Sequence, residues 1–430
     1  MTPRAIQAAI DILTRWEANG ETADRMIASE FRARRYLNST ERRDISEQIY
    51  SAIRYRRRIQ WTLDQMKIPV CPETSLKIVR EWDEREDMLL PGVDNPFDHI
   101  RITLSFPDKM AESLITLLGA EEAISAASAF NKRAPTTLRI NPLRTRREQI
   151  LSILPDASPC TFSPWGINLP QGKQIPSPSN RQKGWWEIQE EASQLTALLA
   201  DPRPGERVVD LGAGAGGKTL VLAALMENQG RITAVDKDCL RLEKLRERAS
   251  RAGVSCIDTA AADVESTEFW KQTASSHRTL DNSRESADCV IVDAPCSGSG
   301  VIRRSPDARW REWNVNKLNS LQLNMLTKGA ELTVDGGRLI YITCAFETEQ
   351  DEMIIDQFLN SRVGARFNLE PALPLLLESI RRAADKCSFR DDIVDDLASE
   401  RLGAGYYIRT WPHRSGLDAF FAAYLRKGNM

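Results

Sequence analysis

The sequence predicts an α/β protein whose largest part is a mostly parallel, doubly wound sheet, preceded by a small α/β module and an all-helical amino-terminal region. Three observations carry that prediction. Beyond Gln189, strand-like apolar runs alternate with helical patterns, as βαβ units do. A glycine-rich loop, Gly212-Ala213-Gly214-Ala215-Gly216-Gly217-Lys218-Thr219, follows the first of those strands. Over residues 3–68, by contrast, apolar side chains recur at helical spacing, as in Ile6, Ala9, Ile10, Leu13 and Trp16 and then Ile45, Ile49, Ile53 and Tyr55.

Taken in order, residues 1–130 are expected to form the helical region, with a helix start at Ser39-Thr40-Glu41. Residues 69–98 are acidic and proline-bearing and read as a connection holding a short helix, and a helical pattern resumes over 107–130. The small module, 131–188, opens on the β-like run Pro135-Thr136-Thr137-Leu138-Arg139-Ile140-Asn141 and continues with a helix starting at Thr145. The third part, 189–430, carries strands at 207–210, 231–236, 255–260, 287–293 and 337–344, and the runs 406–411 and 419–425 are able to close it as a hairpin. Two segments, 265–286 and 380–401, carry no readable pattern beyond loop and charge.

A chain of 430 residues with these apolar and charged fractions is globular, with about two or three domains. It holds no apolar run of roughly 18 residues and no cleavable leader pattern, so a cytoplasmic protein with no membrane span is expected. Cysteines at 71, 160, 239, 256, 289, 296, 344 and 387 show no CxxC spacing, and three histidines accompany them, which argues against a metal site. Most of the cysteines are expected to be reduced core residues, and His413 to be structural. A net charge of −2 argues against non-specific nucleic-acid binding. Arginines nevertheless cluster over 32–58, 132–147 and 303–311, so a phosphate-tracking face is expected, with Arg139, Arg303 and Arg304 as RNA contacts.

The glycine loop admits two readings. It satisfies G-x-x-x-x-G-K-[ST], and Cys289-Val290-Ile291-Val292-Asp293 resembles the strand whose terminal acid holds magnesium in nucleotide hydrolases. It also reads as Asp210-x-Gly-x-Gly, in which Gly212, Ala213, Gly214, Ala215, Gly216 and Gly217 let the backbone approach a ligand. Asp236, ending the second strand about 20 residues on, suits two ribose hydroxyls, and Asp263, after the third strand, suits an adenine edge. That ladder of acids favours S-adenosylmethionine, which lacks phosphates and must be held by its ribose, adenine and methionine ends.

Two thiols sit at the ends of later strands, in Asp293-Ala294-Pro295-Cys296-Ser297-Gly298 and in Tyr341-Ile342-Thr343-Cys344-Ala345. A thiol there is a soft nucleophile placed where open α/β sheets bind ligands. Taken with Gly216-Gly217-Lys218-Thr219, Asp236, and Arg303-Arg304-x-Pro306-Asp307-x-x-Trp310, these segments resemble the RsmB/NOP/Sun family of RNA cytosine-5 methyltransferases. The likeness spans residues 105–427, and the helical region is similar to the NusB-like RNA-binding domain of bacterial members.

The resemblance implies a Rossmann-like catalytic domain binding S-adenosylmethionine, with Cys344 as nucleophile at carbon 6 of cytosine. It places Asp293 as the acid at ring nitrogen 3, Cys296 in product release and Lys218 in the active site. Pro-Cys alone would have favoured Cys296; Thr343-Cys344 reverses that choice. Ribosomal RNA is the expected substrate with transfer RNA as the alternative, and a monomer is expected. The rivals are a nucleoside triphosphatase and a non-catalytic RNA-binding assembly factor. The chain departs from the family pattern at Gly212-Ala213-Gly214-Ala215, where Cys-Ala-Ala-Pro is usual, and at Ala345 and Ala419.

Overall fold

The computed structural model describes residues 1–81, 95–170, 183–263, 286–384, 401–403 and 405–429. Two compact units result: residues 1–133 with 301–313, and residues 134–300 with 314–430. The boundaries differ from the sequence expectation in two places. The small module shares a unit with the large sheet instead of standing apart, and a short piece from within the third part belongs with the helices. Residues 82–94 of the acidic connection, 264–285 of the polar insert and 385–400 of the charged segment, including Cys387, lie outside the described residues.

The helical unit is built on α1 (Pro3–Asn19), α2 (Ala23–Ala33), α3 (Ser39–Arg54), α4 (Arg56–Gln65) and α5 (Pro72–Glu81). Thr2 caps α1 by accepting from the Ala5 amide, proline takes its first position, and left-handed Gly20 ends it. Asn38 and Glu41 form a reciprocal capping box on α3, whose first helical residue is Ser39, the start read from the sequence. Ala8, Ile12, Met26, Ile45, Ile49, Ile53, Ile59 and Leu76 pack as one core. The spacing of those residues along their helices is what made the unit legible. Two further helices, α6 (Asp108–Leu118) and α7 (Ala120–Asn131), follow.

Residues 301–313 join this unit through several side chains, Arg309 and Trp310 among them. Buried Arg309 donates to the carbonyls of Arg54 and Ser105 at 3.1 Å and to Asn131 Oδ1 at 3.0 Å, and its guanidinium lies 4.3 Å from the Phe106 ring centre. Trp310 Nε1 donates to the Ile53 carbonyl at 2.6 Å. The bonds to Ile53 and Arg54 meet carbonyls in the last turn of α3.

In the other unit, β1 (Thr136–Ile140), β2 (Ser158–Pro159), β3 (Gly166–Leu169) and β4 (Trp186–Ile188) make an antiparallel sheet in the order β2-β3-β1-β4, beside α8 (Arg147–Ile153). Leu138, Ile140, Ile150, Ile167 and Trp186 form its core. The large sheet comprises β5 (Arg207–Leu211), β6 (Arg231–Asp236), β7 (Ile257–Ala261), β8 (Ala287–Asp293), β9 (Thr333–Thr343), β10 (Phe367–Glu370), β11 (Tyr407–Arg409) and β12 (Phe421–Lys427). Its order is β10-β12-β9-β8-β5-β6-β7, with β11 on β12.

Strands β5 to β9 pair in parallel, and β10, β11 and β12 add antiparallel pairings at one side. The expected closing hairpin exists as β11 and β12. It does not lie at an edge, however, because β12 is inserted between β9 and β10. Helices α9 (Glu191–Leu198), α10 (Gly217–Leu225), α11 (Cys239–Ala252), α12 (Val315–Leu332), α13 (Glu352–Leu359) and α14 (Ala372–Ala384) complete the unit. Leu211, Val290, Val292, Leu326, Leu339, Tyr341, Ile355, Phe358 and Phe421 are fully buried in its core. Strand β5 has β6 on one side and β8 on the other, so the strand order reverses between β5 and β8. Open α/β sheets bind ligands at the carboxyl ends of their strands beside such a reversal.

Among the described cysteines only Cys160 and Cys289 are buried. The expectation that most would be core residues fails because the others sit at element ends, where one side of the residue meets solvent. Cys239 is exposed at the first turn of α11. Among the described residues no helix is long and apolar enough to cross a membrane.

Candidate active site

The glycine loop turns off β5 into α10. The amides of Gly212 and Ala213 both donate to the Val235 carbonyl, at 2.9 and 3.0 Å, which ties the turn to β6. Gly212 adopts φ +83°, and a Cβ there would stand 2.4 Å from the Asp293 carbonyl oxygen. That position therefore requires glycine, and the close approach brings the ends of β5 and β8 together.

Asp236, at the end of β6, accepts the Gly214 amide on Oδ2 and the Asp238 amide on Oδ1, each at 2.8 Å. Every oxygen keeps a lone pair for another donor. Asp210 is fully buried, and its Oδ2 accepts the Thr219 hydroxyl at 2.6 Å. Burial pushes the Asp210 carboxyl up to about 7, against the opposing effect of the Thr219 bond. Its Oδ1 has no hydrogen-bond partner within the protein. Asp263 lies two residues past β7 and is exposed.

Lys218 and Asp293 form an ion pair, with Nζ 2.7 Å from Oδ2, and the ammonium sits 5.6 Å from the Phe420 ring centre. Burial alone would lower the Lys218 pKa. The Asp293 charge and hydrogen bond outweigh it, so the ammonium is held above its ordinary value. Cys344 directly follows β9, Cys296 lies three residues past β8, and their sulfurs are 3.3 Å apart. The hydrogen bond to Cys344, and then burial, raise the Cys296 thiol well above its usual range. Two sulfurs this close do not both ionise at once, so either of them, as a thiolate, faces a neighbour that keeps its proton.

A triphosphatase reading fits this arrangement poorly. The lysine that would reach phosphates is paired with Asp293, and the hydroxyl that would serve magnesium is bonded to Asp210.

Residues 197–426 match the family model described as 16S rRNA methyltransferase RsmB/F. The chain belongs to the RsmB/F family. A probable ribosomal RNA small subunit methyltransferase B of Synechocystis is 32% identical over 62% of this chain and 59% of that protein, so the chain spans under two thirds of that relative. A Schizosaccharomyces pombe protein named 25S rRNA (cytosine-C(5))-methyltransferase nop2 is 26% identical over 82% of this chain and 57% of its own length. Among solved structures, PH0851 matches with TM-score 0.75 at 24% identity over 99% of both chains, a likeness of fold.

Within this RsmB/F protein, other predicted contacts lie elsewhere than expected. Arg139, 4% exposed, is not placed to meet RNA phosphates. Its Nη1 donates to the Gly217 carbonyl at 2.5 Å and to Gln189 Oε1, so it braces the start of α10. Arg303, 8% exposed, donates to the Lys132 carbonyl inside the helical unit, and Arg147 and Arg309 are buried too. Arg304 is half-buried. Some of the clustered arginines are thus cations enclosed by their own unit that donate to carbonyls, while Arg32, Arg35, Arg43, Arg133, Arg144 and Arg146 are exposed.

Sequence reasoning missed the rest of the brace on the glycine loop. Arg248, on α11, donates to the Ala215 carbonyl at 2.6 Å, and Glu187, on β4, pairs with Arg248 at 3.3 Å and Arg251 at 3.0 Å. No local signal marks these residues, because the contacts join segments distant in sequence.

Two expectations follow. Asp210 has a folded pKa near 7, above the ordinary carboxylate value, so the folded state holds an extra proton across that window. Stability therefore falls as pH rises from the carboxylate range to about 7. Asp210→Asn should flatten that part of a Tm-against-pH curve; an unchanged slope would place the titration elsewhere. Arg139→Met should weaken S-adenosylmethionine binding by about tenfold in calorimetry, whereas a role on RNA would leave that affinity untouched.

Proposed function

We propose that this protein methylates carbon 5 of a cytosine in ribosomal RNA, using S-adenosylmethionine and a covalent adduct on Cys344. The observation that carries this proposal is the pair of thiols 3.3 Å apart just past the ends of β8 and β9, in a sheet whose strand ends hold Asp293 and Asp236, with Lys218 at the start of α10 paired to Asp293. A single sulfur at a strand end would fit a buried hydrophobe; two sulfurs beside a buried cation fit addition and elimination. The pombe relative's printed name specifies cytosine carbon 5, and it is carried to this chain as part of the proposal.

The residues present suit the methyl donor. Asp236 would accept the ribose hydroxyls with its remaining lone pairs, Asp263 would meet the adenine edge, and the unpartnered Asp210 Oδ1 suits the donor's ammonium. Gly212 through Gly217 would bring backbone close to the donor, since a Cβ on Gly214 would meet nothing nearer than 3.9 Å. When bound, the donor supplies an electrophilic methyl group on a sulfonium.

The chain's own residues do the remaining work. The Cys344 thiolate, favoured by the Lys218 cation, adds to carbon 6, and the electron pair of the 5,6 double bond moves towards carbon 5 and nitrogen 3. As charge develops at nitrogen 3, a proton would pass to it from the Lys218 ammonium through the hydrogen-bonded Asp293 carboxyl, which stabilises the adduct. Carbon 5 would then form its bond to the methyl carbon as the sulfur–methyl bond breaks, its electron pair staying on the donor's sulfur. A general base next takes the carbon-5 proton, and the electron pair left behind reforms the double bond and expels the Cys344 sulfur. Cys296 keeps its proton and stands within hydrogen-bonding distance of that sulfur, where it assists release. A target base must leave its stack to be reached, so an unpaired or loop cytosine is expected.

Transfer of labelled methyl groups to ribosomal RNA from a strain lacking this protein tests the proposal. Wild type should form 5-methylcytosine and Cys344→Ala none, while Cys296→Ala should accumulate protein joined to RNA. Equal transfer by wild type and Cys344→Ala would overturn the mechanism. Transfer by neither, with the donor bound, would favour a non-catalytic RNA-binding factor, and methylation of transfer RNA alone would reassign the substrate.

A further inference from the structure

The two thiols stand on different loops, and a loop end is a poor place to hold a sulfur to within a few tenths of an ångström. A buried polar bridge joins these loops. Glu347, three residues past Cys344, accepts on one oxygen, Oε2, from Ser299 Oγ at 2.7 Å, Ser297 Oγ at 3.1 Å and Gln350 Nε2 at 2.9 Å. Both serines belong to the Cys296 loop. The bridge is doubled by backbone bonds: the Phe346 amide donates to Ser299 Oγ at 3.1 Å, and the Gly300 amide to the Cys344 carbonyl at 2.9 Å.

Gln350 closes the arrangement from its other end. Its Oε1 accepts the Ser297 amide at 2.8 Å, directly after Cys296. Gln322, on α12, donates to the Pro295 carbonyl at 2.9 Å, directly before it. Ser297, Ser299, Gln322 and Gln350 are all at least 95% buried and Glu347 is half-buried, so the bonds to its Oε2 are partly shielded from water. Three of these donors, from Ser297, Ser299 and Gln350, converge on the Glu347 carboxylate. A carboxylate taking three neutral donors at one oxygen gains charge-assisted bonds that an apolar residue cannot provide.

We propose that Glu347 is a positioning residue: it fastens the Cys296 loop to the Cys344 loop and so sets the distance between the two sulfurs. The proposal rests on the covalent reading of Cys344 and Cys296 for its catalytic meaning, but the spacing it describes belongs to the protein alone. Loss of the bridge leaves both thiols present and the donor-binding loop intact, yet allows the loops to part. A misplacement on the order of 1 Å in a reacting group costs up to about a hundredfold in rate.

Two readouts test it on the full-length protein. The first is methyl transfer at saturating RNA and donor. Glu347→Ala should lower kcat at least tenfold, with the KM for each substrate and the donor Kd within about twofold, as expected for an interaction realised in the reacting geometry. Glu347→Gln, which keeps an accepting oxygen, should recover part of the loss, and Ser299→Ala should resemble the milder variant. The second readout needs no RNA. Diamide oxidises two neighbouring thiols to a disulfide, taking both hydrogens to become a hydrazine, and its rate on the Cys296 and Cys344 pair, followed by mass spectrometry, reports how often the sulfurs meet. That rate should fall about tenfold in Glu347→Ala and partly return in Glu347→Gln.

Unchanged rates in both assays for a folded Glu347→Ala would overturn the proposal. So would a fall in kcat matched by an equal loss of donor affinity, which would signal general damage. If wild type transfers no methyl group, the covalent reading fails, and the diamide rates still decide whether Glu347 sets the sulfur spacing.

Discussion

The site depends on one feature of the sheet: β8 lies between β5 and β9, parallel to both. Parallel strands end on the same side, so this pairing brings the glycine loop, Asp293 and the two thiols to one edge although they are separated by as many as 132 residues in sequence, from Gly212 to Cys344. Gly212 tightens the arrangement, since only a residue without a Cβ lets β5's loop pass the Asp293 carbonyl. The antiparallel insertion of β12 beside β9 then encloses the region with Phe420 and Phe421, the first of which flanks the Lys218 ammonium.

Burial of charge organises the chemistry. Lys218 remains an ammonium in a buried place because Asp293 is within hydrogen-bonding distance, and the pair delivers a cation and a hydrogen-bonding acid to neighbouring points. Lys218 alone would face a desolvation penalty of several kcal/mol, on the order expected for an unpaired buried ion, whereas Asp293 is half-buried. The sulfurs obey a related constraint, since their closeness allows one negative charge between them. In the proposed reaction, a nucleophile and a proton-bearing neighbour would arise from two chemically identical side chains, distinguished by position.

Much of this was legible in the sequence, and the reason is locality. The glycine loop, the acids ending β6 and β8, and the cysteines beside strand ends each lie within a short segment whose pattern names both the element and the ligating group. The helical unit was legible because its apolar spacing is intrinsic to each helix. What escaped were side chains whose purpose is set by a distant partner. Arg139 looked like a phosphate contact and instead braces the Gly217 carbonyl; Arg309 looked like part of a basic surface and instead holds residues 301–313 within the helical unit. Glu347 had no signal, because a glutamate in an acidic stretch gives no hint of two serines some fifty residues away. The joining of the small module to the large sheet was hidden for the same reason.

The central claim is that Cys344, rather than Cys296, bonds to the base. Incubating the protein and its methyl donor with ribosomal RNA containing 5-fluorocytidine tests it most directly, because fluorine at carbon 5 cannot leave as a proton and elimination stops at the adduct. Digestion and mass spectrometry then identify the cysteine that carries the nucleotide. The account predicts a methylated fluorocytidine on Cys344, with Cys296 unmodified. Attachment at Cys296 would contradict it and would reverse the roles of the two thiols.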